Sequence, residues 1–141
     1  MTVPQWALLG FAVWTVLLLF ATIGFYRWAR ILTGRTQISE WQADVPQGSE
    51  WYRRAMRAHM NCVENLPVFA AIVFCVTAAG ASGKLLDALS VFVLGGRIAQ
   101  TIIHISVRQT NTAAALRFAF FLIQALSMLA MAVLCAIAAL K

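Results

Sequence analysis

Charge is what this chain has least of. Charged residues make up 11% of its 141 positions, and only five are acidic. A soluble domain carries about 25%. Disordered chains need high charge and low hydrophobicity, so disorder is excluded. Cysteine is also sparse: Cys62, Cys75 and Cys135 show no CxxC and no His-paired spacing. Neither a zinc site nor a disulfide framework is supported, and the three are read as buried small hydrophobes. No internal repeat or low-complexity tract is present.

Apolar residues dominate instead, at 62%, with a mean hydropathy of +0.79. A domain this small has too little interior to hide that much apolar surface from water. The composition therefore predicts an integral membrane protein in contact with lipid. The net charge of +6 could also signal nucleic acid. Its placement argues against that, because Arg27, Arg30, Arg35, Arg53, Arg54 and Arg57 lie between the first two apolar segments. Basic residues flanking membrane spans report topology and anionic headgroups, so no nucleic-acid partner is expected.

The apolar segments predict four transmembrane helices, over about residues 6–26, 54–79, 85–107 and 112–140. Each exceeds the roughly 20 residues needed to cross about 30 Å of hydrocarbon. Residues 1–141 are read as one domain. A long polar loop, about residues 27–53, separates the first two spans and contains Glu40, Asp44, Pro46 and Glu50, with a short interfacial helix expected around Trp41 and Trp51. Trp6 and Trp28 join Trp41 and Trp51 as expected interface-belt residues. Tight turns at 80–84 and 108–111 make spans two, three and four antiparallel neighbours. The Arg-bearing connections follow spans one and three, whereas Lys84 and Lys141 lie opposite. The positive-inside rule then places both connections in the cytoplasm and both termini outside. A bacterial inner membrane is the expected location, since no eukaryotic retention signal is seen.

Three spans hold ionisable groups that the hydrocarbon penalises. Arg54, Arg57, Asn61 and Glu64 follow a 3-4-3 spacing. At 100° per residue they lie within an arc of about 80° on one helix. Arg97, Gln100, Thr101, His104 and Arg108 share a face of span three, and Arg117 aligns with Gln124 on span four. Antiparallel packing brings these stripes to one depth. The expected result is a cation-rich pocket open to the cytoplasm, suited to a small anionic ligand. Guanidiniums grip carboxylates, Glu64 accepts an ammonium, and Asn61 and Gln100 hold amides. Glutathione carries that set of groups, and its thiol beside an arginine would shift toward thiolate. Bland readings stand beside this one. Arg53 is read as an interface anchor, Arg97 as a structural partner of Glu64 or Asp87, and Gly95-Gly96 as a close helix contact. Pro67 is expected to free the Val63 carbonyl and bend span two. His104 is either a satisfied polar residue or a proton donor.

The segment Arg57-Ala58-His59-Met60-Asn61-Cys62-Val63-Glu64-Asn65-Leu66-Pro67 resembles the second-helix signature of the MAPEG superfamily, the membrane-associated proteins in eicosanoid and glutathione metabolism. Gly96-Arg97 with His104, and Arg117 at the start of the last span, resemble its third and fourth helices. The resemblance implies an all-α, left-handed four-helix transmembrane bundle assembled as a homotrimer. It further implies glutathione bound between subunits by Arg57, Asn61 and Glu64, with Arg97 supporting the pocket; the polar stripes themselves add Arg54 and Gln100 as binding candidates. Arg117 would stabilise the thiolate, and His104 is the second catalytic candidate. The implied activity is conjugation of glutathione to a hydrophobic electrophile, or reduction of lipid hydroperoxides. Met60, Gln100, His104 and Phe118 depart from the pattern of prostaglandin E synthases, which points away from prostaglandin isomerisation. A non-catalytic lipid-binding scaffold is the alternative, and a four-span transporter using Glu64 is a further one.

Overall fold

The computed structural model describes every residue except Ala43, Asp44, Pro46 and Lys141. The expectations for Asp44, Pro46 and Lys141 thus lie outside the described residues. Four long helices account for most of the chain: α1 (Val3–Leu32), α2 (Glu50–Ala78), α3 (Lys84–Ser106) and α4 (Asn111–Ala139). All four are long and apolar enough to cross a membrane. Consecutive helices run antiparallel. The α3–α4 interface is the most extensive, and α1 packs against both α2 and α3. No strand occurs among the described residues.

Helix ends follow local chemistry. Ser49 caps α2 by accepting from the Tyr52 amide at 3.3 Å, and Thr110 caps α4 through the Ala113 amide at 3.1 Å. At the end of α2, the Ala81 amide returns to the Val76 carbonyl and the Gly80 amide to Thr77. This pairing needs a left-handed residue, supplied by Gly80 at φ 62°.

The first loop is shorter than the sequence pattern predicts. Helix α1 continues through Arg27 and Arg30 to Leu32, and α2 starts at Glu50, so only residues 33–49 connect them. The prediction stopped helices where polarity rose, but a helix that leaves the apolar layer keeps its own hydrogen bonds. The interfacial helix is a single 3-10 turn, Ile38–Glu40, and Trp51 already belongs to the first turn of α2.

Phe11, Cys62, Phe69, Val73, Val93 and Met131 form the centre of the core, with Phe11 and Phe69 rings 6.1 Å apart. Much apolar surface remains outside, including Phe20, Phe74 and Leu129. On a membrane-spanning bundle that surface is what lipid tails cover. Two expectations need correction. Cys75 is exposed, unlike buried Cys62 and Cys135. Gly96, rather than the Gly95-Gly96 pair, carries the close contact: a Cβ at Gly96 would sit 2.9 Å from Gln124 Cγ, whereas Gly95 faces open space.

Candidate functional site

At the loop end of the bundle, α2, α3, α4 and the first loop enclose a cavity of about 1210 Å³. Eight of the eleven residues singled out by spacing line it: Arg54, Arg57, Asn61 and Glu64 from α2, Arg97, Gln100 and His104 from α3, and Arg117 from α4. The turn-to-turn geometry explains the convergence. Residues at 3-4-3 spacing stay on one face, and antiparallel neighbours set the start of α2 beside the end of α3 and the start of α4.

Three members of the proposed stripes fall elsewhere, Gln124 among them, fully buried behind the wall. Helix α3 ends at Ser106, so Arg108 sits exposed in the turn and does not line the cavity. Thr101 turns into the core, where its Oγ1 lies 3.8 Å from Cys62 Sγ. Arg53, read as an anchor, lines the wall instead. Sequence spacing also missed Arg27, Tyr52 and Gln109, which line the cavity too. The wall therefore presents six guanidiniums (Arg27, Arg53, Arg54, Arg57, Arg97, Arg117) against the carboxylates of Glu50 and Glu64. One ion pair forms among the described residues, Arg54 to Glu50 at 3.4 Å.

Arg97 is the deepest cation, with 1% of its surface exposed. Its Nη1 donates to Gln100 Oε1 at 2.9 Å, and its guanidinium lies 5.4 Å from the centre of the Phe11 ring. This corrects the expected pairing with Glu64 or Asp87: the intramolecular partner is an amide, not a carboxylate. Nε and Nη2 of Arg97 have no hydrogen-bond partner among the described residues, and neither does Nδ1 of His104. The two unpartnered N–H groups of Arg97 are buried donors free to take a further acceptor. Arg57 and Glu64 line the cavity where it is open, and both are exposed on the single chain.

An aromatic cluster fixes the loop over this site. Tyr26 stacks on Tyr52 at 4.5 Å, and Trp41 packs against both. Arg27 donates from Nε to the Tyr52 hydroxyl at 2.6 Å and lies over the Trp41 ring at 5.3 Å. Upstream, residues Leu19–Gly24 of α1 widen into a π-helical segment. One extra residue turns the following face by about 100°, bringing Tyr26 and Arg27 onto α2. Hydrophobic spacing carries no mark of such an insertion. Gly48 closes the cluster at φ 79°, where an added Cβ would sit 2.7 Å from Tyr52 Cδ1. Gly48→Ala is therefore expected to cost about 1–3 kcal/mol, from left-handed strain and the displaced ring. A thermal melt in detergent checks it; an unchanged melting temperature would contradict the packing.

The sequence model of the MAPEG family matches residues 5–137. The chain belongs to the MAPEG family. No curated protein and no solved structure matches it. MAPEG members generally use glutathione as substrate or cofactor, in transferase, peroxidase or related membrane activities. The cavity fits that use: its donors outnumber its acids, and the buried fork of Arg97 has N–H groups to spare.

Proposed function

We propose that this MAPEG member is a glutathione-dependent membrane enzyme. It conjugates glutathione to hydrophobic electrophiles or reduces lipid hydroperoxides. The observation that carries the reading is the meeting of six guanidiniums, Asn61, Gln100 and Glu64 around one cavity at the loop end of the bundle. Arg54, Arg57 and Arg97 serve the two carboxylates of the tripeptide, Glu64 its ammonium, and Asn61 and Gln100 its amides. Arg117 stabilises the thiolate, and His104 is the candidate proton donor to a leaving group. The apolar wall of Met60, Phe118 and Phe121 receives the second substrate.

The exposed Arg57 and Glu64 support a site completed by neighbouring copies, in keeping with a homotrimer. The loop end faces the cytoplasm in this reading, with both termini on the other side, as the arginine distribution requires. A non-catalytic lipid-binding role is the second reading. It is favoured by the exposure of Met60 and Phe118, 48% and 63%, on the cavity wall.

The test is a calorimetric titration of the detergent-solubilised protein with glutathione. Saturable binding is expected for the wild type. Glu64→Ala is expected to weaken it by about tenfold or more, through loss of a charge-assisted contact. A wild type indifferent to millimolar glutathione overturns the proposal. Binding without any turnover selects the scaffold.

A further inference from the structure

Behind the cavity wall lies a side chain that shares the Arg117 stripe of the last span but does not line the cavity. Gln124 on α4 is fully buried, at 0% exposure, in the layer between α3 and α4. Its Nε2 donates to Gln100 Oε1 at 3.2 Å and to the Phe120 carbonyl at 2.8 Å. The same Gln100 oxygen accepts from Arg97 Nη1 at 2.9 Å. Gln100 Nε2 then donates to the main-chain carbonyl of Arg117 at 3.1 Å. Two donors thus converge on one oxygen of the Gln100 amide. They fix which end of that amide is the acceptor, and so direct its NH₂ group at the backbone of Arg117. Flipping the amide would set its NH₂ against both donors.

The packing makes room for this chain of amides. Gly96 lies one turn before Gln100, and any side chain there would strike Gln124 Cγ. The far end of Arg117 is held separately, by Nη2 donating to Gln109 Oε1 at 2.7 Å. Arg117 is therefore fixed at its backbone from within the bundle and at its guanidinium from the α3–α4 turn.

We propose that Gln124 is a positioning residue: acting through Gln100, it sets the place from which Arg117 reaches the thiol of bound glutathione. This rests on the glutathione reading of the cavity. Gln124 touches no ligand itself, and Arg97 Nη1 still holds Gln100 Oε1 at 2.9 Å without it, so its loss should leave binding nearly intact and change the state of the bound thiol.

The test compares wild type, Gln124→Leu, Gln100→Leu and the double variant in detergent. Each is titrated with glutathione, and thiolate absorbance near the far-ultraviolet band of thiolates is read per bound tripeptide at neutral pH. Gln124→Leu is expected to keep its Kd within about threefold while thiolate per bound glutathione falls about fivefold, the worth of one neutral hydrogen bond. The double variant is expected to show no greater thiolate loss than Gln100→Leu alone, because both substitutions cut one chain. Should Gln124→Leu fail to assemble, Gln124→Asn, one methylene too short to reach Gln100, is read the same way. Full thiolate in the Gln124 variant, or independent multiplying losses in the double, overturns the proposal while leaving the glutathione reading intact. A wild type that binds no glutathione overturns both, and one that binds it without thiolate overturns the positioning role alone.

Discussion

Arg117→Ala is expected to slow conjugation of a model electrophile by about a hundredfold or more while changing glutathione affinity only a few-fold. A free thiol with a pKa near 8.5 is only a few per cent ionised at neutral pH. A guanidinium aimed at the sulfur favours the anion, and its removal resembles loss of one donor from an oxyanion site, worth roughly 10²–10³ in rate. The split between rate and affinity follows from the geometry. Arg117 stands on α4, while most of the proposed tripeptide contacts come from α2 and α3. Arg117→Lys keeps the charge but loses the fork that lets one amino group rest on Gln109 while the others stay free for the proposed thiolate. It should fall between wild type and Arg117→Ala. Steady-state kinetics with a chromogenic electrophile, paired with binding titrations, decide the matter. If rate and affinity fall together in Arg117→Ala, Arg117 is a binding residue and not the thiolate's partner.

The residues that made this prediction possible were visible in the sequence because membranes simplify the problem. Where every position should be apolar, a charge at regular spacing stands out, and 3-4-3 spacing assigns it to a face. Arg54, Arg57, Asn61 and Glu64 were found in this way, and the turns at 80–84 and 108–111 placed the other stripes beside them. What was hidden depends on long-range contact or on departures from the regular helix. Arg27 reaches α2 only after the π segment Leu19–Gly24 has turned it there. Arg53 sits where an interface anchor would also sit, and spacing cannot tell a wall from a rim. Gly95 and Gly96 are alike in sequence, but only Gly96 faces Gln124. Spacing marks Arg97 as a costly buried charge and points to a carboxylate partner, but the structure gives it an amide. The amide of Gln100, three residues on, takes that role because i and i+3 side chains share a helix face.

The cost of Arg97 leads to the last expected result. Arg97→Met should raise the melting temperature of the ligand-free protein and abolish glutathione binding. A buried guanidinium loses several kcal/mol of hydration, and among the described residues no carboxylate lies within ion-pair distance of it. Its Nε and Nη2 have no acceptor among the described residues, while Nη1 has only an amide. Methionine fills a similar volume, can rest on the Phe11 ring, and leaves Gln100 Oε1 still served by Gln124 Nε2 at 3.2 Å. Replacing buried charge by apolar side chains of similar size commonly stabilises by about 1–4 kcal/mol, and a gain at the upper part of that range is expected. Such a gain, joined to loss of binding, is the signature of a residue kept for its ligand at the expense of the fold. Differential scanning fluorimetry with and without glutathione separates the outcomes. The wild type should gain melting temperature on adding the tripeptide, whereas Arg97→Met should begin higher and not move. A destabilised Arg97→Met would instead make Arg97 a structural tie between helices, its amide contact holding more than the missing anion costs.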